Sequence, residues 1–221
     1  KKVAVNPSYF AFTGAVMDLG YEDPLKVVDW EVYTDYNDAL AAVVRGDVAY
    51  ALMGTGQNLA VQEMAANGEI DIVSYQSEIM ENYSCCRMEA QTDWVNENPN
   101  TVKAIIRALL RAQSYYERNK EEAVRLLAED IEATEEYVAA YMLDEEHYFV
   151  SVDPLKNAVE RAWDILDKTG FLDEKAKDIN IDDHINIKLY EEALAEATEK
   201  YGDEDMEFYK EMKNFFVENN K

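Results

Sequence analysis

The sequence predicts an α/β fold: a doubly wound, mostly parallel sheet over residues 1–90, followed by an all-helical C-terminal segment over residues 91–221. Three observations lead there. Short apolar runs alternate with amphipathic stretches through the first ninety residues, and β-α-β-α alternation implies parallel strands joined by right-handed crossovers. One run, "VAYALM" (48–53), is nearly unbroken, as suits a central strand covered on both faces. After Gln91 the apolar residues recur only at helical spacing.

Taken in order, "KKVAV" supplies a first strand (2–5), and residues 9–19 a helix closed by Gly20. "VVDWEVY" (27–33) is a second strand. "YNDALAAVVRG" (36–46) is a helix with Ala39, Leu40, Val43 and Val44 on one face and Gly46 as its stop. The third strand (48–53) leads into a helix over 57–67. "DIVSYQ" (71–76) and "SCCRMEA" (84–90) read as further strands. Beyond them, Pro99 opens a long helix carrying Val102, Ile105, Ile106, Leu109 and Leu110. Asn119, Thr134 and Asp153 are candidate N-caps of the helices that follow, and Gly170 ends the last of these. Two acidic amphipathic helices, about 186–200 and 203–218, finish the chain.

Composition removes several classes of function. With 48% hydrophobic and 30% charged residues over 221 positions, the chain has the makings of one large or two small folded domains. Its 46 acidic and 21 basic residues give a formal net charge of −25, which argues against nucleic acid and against anionic membrane surfaces. No apolar run approaches the roughly 20 residues needed to cross a bilayer. The start within a strand, with no signal peptide ahead of Lys1, reads as a mature or trimmed chain. Cys85 and Cys86 are neighbours. On a strand they would point to opposite faces, so core packing is the expected role and ligand contact the alternative. No metal site and no cofactor motif is expected: "GTG" lacks the spacing of a dinucleotide loop and the lysine of a P-loop. "DDH" (182–184) reads as helix-capping acid residues.

Ligands of such sheets bind beyond the carboxyl ends of the strands. Three turns leave those ends: "NPSYF", "YTDY" and "MGTGQN". In the first, Ser8 is a candidate N-cap, and the backbone N–H groups of Tyr9, Phe10 and Ala11 would face outward as an anion site without a cationic side chain. In the third, Gly54 and Gly56 allow close backbone approach while Thr55, Gln57 and Asn58 offer hydroxyl and amide groups. Thr55 reads equally well as a helix cap. Ser8, Tyr9, Phe10, Thr55, Gln57 and Asn58 are therefore the expected ligand-binding residues.

The segments "KKVAVNPSYF", "DALAAVVRGDVAYALMGT" and "CCRMEAQTDWVNENPNTVKAIIRALLRAQSYYERNKEEAVRLLAE", with "GFLDE" and "DDHINIKLYEEAL" later, resemble solute-binding proteins of ABC importers of the nitrate/sulfonate/taurine type. That resemblance implies a two-lobed periplasmic-binding-protein fold of which this chain holds the second lobe and the helical segment, most of the first lobe being absent. It implies a non-enzymatic protein, without cofactor, that delivers a small anion or organic solute to an ABC permease outside the cytoplasm. Its membrane contact would be only a lipid anchor outside this chain, with a dimer if the first lobe is missing. The ligand contacts it implies fall at Ser8 with the following helix turn and at Thr55 and Gln57, with a linker residue at Tyr75 or Ser77 as a further candidate. "GTGQN" stands where many members carry an aromatic-acidic turn, so the resemblance assigns no particular solute. The competing reading is an enzyme on the same fold, of the menaquinone- or thiamine-pathway type, with Cys85, Cys86 or Asp35 as its polar group. A regulator's effector domain is disfavoured because no helix-turn-helix segment is present.

Overall fold

Strands β1 (Lys2–Ala4), β2 (Asp29–Trp30) and β3 (Tyr50–Ala51) pair in parallel in the order β2-β1-β3. The computed structural model that shows them describes residues 1–221. Val3 is the hinge of the register, opposite Trp30 on one side and Tyr50 on the other. Bonds from Glu31 N–H to the Val3 carbonyl (2.9 Å) and from Leu52 N–H to the Ala4 carbonyl (3.2 Å) carry the ladder just past the strands. There it stops. Pro7 has no N–H to donate, and the Asn6 carbonyl accepts from Tyr9 N–H at 2.9 Å, which turns the chain out of the sheet.

Helices hold 60% of the residues and strands only 3%, so the expected doubly wound, mostly parallel sheet is not the fold; the chain is mainly helical. Two expected strands fail outright, the first where local side-chain bonds take over the backbone and the second where long-range side-chain bonds anchor the segment. In 71–76 the Glu78 carboxylate accepts from Tyr75 N–H (2.7 Å) and from the Ser74 hydroxyl (2.9 Å), which caps a short helix and removes a ladder donor. In 84–90 the Ser84 hydroxyl donates to the Ala158 carbonyl at 3.1 Å, and the Arg87 guanidinium donates to the Asp153 carbonyl. Strand propensity is realised only where a neighbouring edge and a covered face exist. Val73 and Met88 have neither, being 73% and 59% exposed.

Eleven α-helices follow in chain order: α1 (Phe10–Asp18), α2 (Tyr36–Arg45), α3 (Asn58–Ala66), α4 (Gln76–Ile79), α5 (Thr92–Glu97), α6 (Pro99–Arg118), α7 (Lys120–Asp130), α8 (Glu135–Met142), α9 (Lys156–Lys168), α10 (Ile187–Tyr201) and α11 (Met206–Asn219). The chain divides into two units. The first takes Lys1–Tyr83, Lys120–Tyr148 and Ile165–Leu172; the second takes Ser84–Asn119, Phe149–Asp164 and Asp173–Lys221.

In the first unit, Ala39 and Ala42 of α2 pack with Ala4 and Val48 against the sheet. Asp35 caps α2 by accepting from Asn37 N–H at 2.6 Å, and Gly46 at φ 77° ends it in the left-handed conformation that glycine adopts without strain. A second cluster joins Ala11 of α1 to Met80 and Ile165, with Phe10 and Tyr83 alongside. Gly14 makes that contact possible, since a Cβ there would lie 2.6 Å from Ile165 Cδ1.

In the second unit, Val102, Ile106 and Leu110 of α6 meet Tyr190, Ala193, Leu194 and Ala197 of α10 and Phe208, Tyr209 and Phe216 of α11. The alanines leave room for α6 to lie close. Along the margin, Lys103 pairs with Glu196 (2.7 Å), Arg107 reaches the same carboxylate, Arg111 forks onto Glu204 (2.8 and 2.9 Å), and Arg118 reaches Asp205 (3.1 Å). Partly exposed pairs of this kind contribute about 0–1 kcal/mol each, so the apolar seam outweighs them. Ile105, Leu109 and Tyr115 of the same helix are exposed.

Leu110 is fully buried at the centre of that seam. Leu110→Ala should lower the unfolding free energy by about 2–5 kcal/mol, read from urea titration; a loss under about 1 kcal/mol would contradict the packing described.

Candidate functional site

Because all three strands are parallel, the chain leaves each of them at the same edge of the sheet, and β1 and β3 are immediate neighbours there. Neighbouring strands lie about 4.8 Å apart. The turns "NPSYF" and "MGTGQN" therefore start side by side.

The first turn is built differently from the sequence expectation. Ser8 is not the N-cap of α1. Its hydroxyl (2.8 Å) and its N–H (3.0 Å) both donate to Asn6 Oδ1, and Tyr9 occupies the cap position without a side-chain cap bond. Of the three N–H groups expected to face outward, that of Tyr9 is used by the Asn6 carbonyl. The Phe10 ring lies tilted against Tyr83, centroids 4.8 Å apart, beside the Met80 cluster, so its ring is packing first. The Tyr9 phenol is the outgoing group: its hydroxyl donates to Gln76 Oε1 at 3.2 Å.

The third turn is a 3₁₀ turn over Thr55–Gln57 that leads directly into α3. Thr55 is exposed and makes no side-chain cap; its carbonyl accepts from Asn58 N–H. Both glycines are held by close neighbours. A Cβ on Gly54 would lie 3.0 Å from the Tyr36 ring and 3.4 Å from Gln57 Oε1, while one on Gly56 would lie 2.8 Å from the Tyr137 hydroxyl. Tyr36 opens α2, so the exit of β2 covers the exit of β3. Asn58 and Gln57 are half-buried.

Around this edge the structure adds groups that the strand-end argument misses. Gln76 Nε2 and Ser77 Oγ, at the start of α4, are buried atoms with no hydrogen-bond partner. Tyr75 stacks on His147 at 3.6 Å with the rings 14° from parallel, and His147 Nδ1 lies 2.9 Å from the Asp144 carboxylate. Burial, then the Asp144 charge, raises the Tyr75 pKa; burial likewise raises those of Tyr141 and Tyr148. These phenols stay protonated donors across the neutral range. Gln76 carried no periodic signal, being the last residue of an expected strand. Only the resemblance pointed to its neighbourhood, through Tyr75 and Ser77.

The remaining candidates lie elsewhere or are occupied. Asp35 serves as a helix cap. Cys85 and Cys86, expected in the core, are both exposed and belong to the second unit. No group of three or more His, Cys, Asp or Glu side chains is arranged to hold a metal ion. A groove of about 360 Å³ beside Arg111, Tyr115, Arg118, Tyr201 and Glu204 has its arginines already paired with Glu204 and Asp205. No family model, curated protein or solved structure matches the chain. The likeness to ABC-importer solute-binding proteins therefore rests on the sequence segments quoted above.

The second unit also holds a fully buried carboxylate, Asp153. Its Oδ1 accepts from Leu155 N–H and Asn220 Nδ2, each at 2.8 Å, while Oδ2 and the nearby Tyr190 hydroxyl have no partner. Burial raises the Asp153 pKa, its hydrogen bonds and Arg87 only partly opposing. The folded chain thus holds this proton more tightly than the unfolded one. The site favours folding fully below the ordinary aspartate value of about 3.9 and loses that contribution as pH rises through the raised value. In Asp153→Asn the group is neutral throughout. Wild-type stability minus variant stability should fall as pH rises from about 3.9 toward neutrality, read from urea titrations at several pH values. A difference independent of pH would contradict it.

Proposed function

We propose that this chain binds a small anion or small organic solute at the carboxyl edge of its sheet, without catalysing a reaction, and passes it to an ABC permease outside the cytoplasm. The observation that carries the binding half is the pair of partnerless buried groups at the start of α4, Gln76 Nε2 and Ser77 Oγ, the first on the amide that the Tyr9 phenol bonds. A buried donor without a partner costs about 1–3 kcal/mol, and a ligand acceptor group relieves that cost. The donors are neutral, which suits a chain whose formal net charge is −25: an acceptor group can be held by amide and hydroxyl N–H and O–H without a competing lysine or arginine. The tyrosines at positions 9, 36 and 137 add flat apolar surface with polar tips. The permease half, the solute class (nitrate-, sulfonate-, taurine- or pyrimidine-like) and the location rest on the sequence resemblance alone.

The enzyme reading finds less support. Asp35 is engaged in capping, and the two cysteines lie outside the unit that holds this edge. Catalysis by a nucleophile needs a base within hydrogen-bond reach of it.

Calorimetry or thermal-shift screening of nitrate, sulfonates, taurine and pyrimidines should give a hit. Gln76→Ala and Gln57→Ala should each weaken it roughly three- to tenfold, the loss of one neutral hydrogen bond. Undiminished binding to both variants and to Thr55→Val would place the ligand elsewhere.

A further inference from the structure

Cys85 and Cys86 are adjacent in sequence, both exposed, and their sulfurs lie 3.5 Å apart. On a strand the two side chains would diverge. Here 84–90 is not a strand, and the thiols share one side of the chain, with Cys86 Sγ directed at Cys85 Sγ. The segment is held at both ends: the Ser84 hydroxyl donates to the Ala158 carbonyl, and the half-buried Arg87 guanidinium donates to the Asp153 carbonyl. The two tethers land five residues apart, one just before α9 and one in its first turn, and leave both cysteines exposed. Neither cysteine belongs to the buried core.

We propose that Cys85 and Cys86 form a redox-active vicinal dithiol, oxidised to an intrachain disulfide by exchange with a small-molecule disulfide. One cysteine thiolate attacks a sulfur of the small disulfide; that S–S bond breaks, and the departing thiolate takes up a proton. The neighbouring thiolate then attacks the cysteine sulfur of the mixed disulfide, forming the Cys85–Cys86 bond and releasing the second small thiol. Two electrons pass from the cysteine pair to the small disulfide, and the two cysteine protons leave on the released thiols. The second step is fast because the attacking sulfur already stands near reacting distance. To bond, the sulfurs must close by about 1.5 Å, to about 2.05 Å. Adjacent residues accommodate that only with strain, and strained, exposed disulfides are the labile ones. The site is a reversible redox centre, and the proposal is independent of the solute-binding reading.

Fully reduced protein is exposed to excess oxidised glutathione in the absence of oxygen and followed by intact mass and thiol titration. The wild type should lose two hydrogens, release two glutathione thiols per chain and retain no adduct. Cys85→Ser and Cys86→Ser should each retain one glutathione. Excess reduced glutathione should then restore both thiols of the wild type. Stable glutathione adducts on the wild type, a disulfide-linked dimer on a non-reducing gel, or no reaction would each overturn the proposal. So would an oxidised form that resists reduced glutathione. The same exchange in urea, where the tethers are released, should accumulate more mixed disulfide at matched times; an equal yield would remove the fold from the explanation.

Discussion

A three-residue strand that must satisfy hydrogen bonds on both sides governs the first unit. Val3 lies opposite Trp30 and Tyr50 at once, and Lys2, Val3 and Ala4 all give their carbonyls to neighbouring segments. With β1 in the middle and all pairings parallel, the chain has no choice about where it leaves the sheet: every exit falls on one edge. The contacts described at that edge, the Tyr36 ring over Gly54, the Tyr137 hydroxyl at Gly56 and the Tyr9 phenol on Gln76, are consequences of it. Pro7 and Asn6 make the exit abrupt and so keep the strand short.

The brevity of the sheet is a contest between ladder bonds and local side-chain bonds. Ser, Asn, Asp and Glu offer the backbone an alternative to pairing. Glu78 takes the N–H of Tyr75, Asn6 takes that of Ser8, and Asp153 takes that of Leu155. In a chain with 46 acidic residues such competitors are frequent. In 84–90 the bonds are long-range instead, from the Ser84 and Arg87 side chains to the Ala158 and Asp153 carbonyls, and there the two thiols turn toward one another.

Charge is arranged with similar economy. Four of the basic residues, Lys103, Arg107, Arg111 and Arg118, form a row along α6 and are matched to carboxylates of α10 and of the residues between α10 and α11. Cations are thereby spent on helix margins. The sheet edge is left with neutral donors, and any ligand recognised there has to be read by hydrogen bonds and aromatic surface.

Much of the helical part was legible in residue order: Pro99 at the start of α6, the Thr134 cap of α8, Gly46 and Gly170 as stops, and the apolar spacing of Val102, Ile106 and Leu110. Each of these is a local rule that needs no knowledge of the rest of the chain. The turns at Ser8–Phe10 and Thr55–Asn58 were legible as strand exits for the same reason, since parallel alternation puts exits on one edge. The extent of the sheet was not legible. A strand exists only if a partner edge is free and its face is covered, and Val73 and Met88 found neither. Nor could the roles at the site be read in advance. Ser8 turned to Asn6 and Phe10 to Tyr83, while Gln76, remote in sequence, arrived beside Tyr9. Local propensity and spacing are properties of a few consecutive residues, and the sequence by itself determined those. Which polar groups stay without partners, and which sulfurs face each other, depends on contacts between distant segments, and only the tertiary structure decided them.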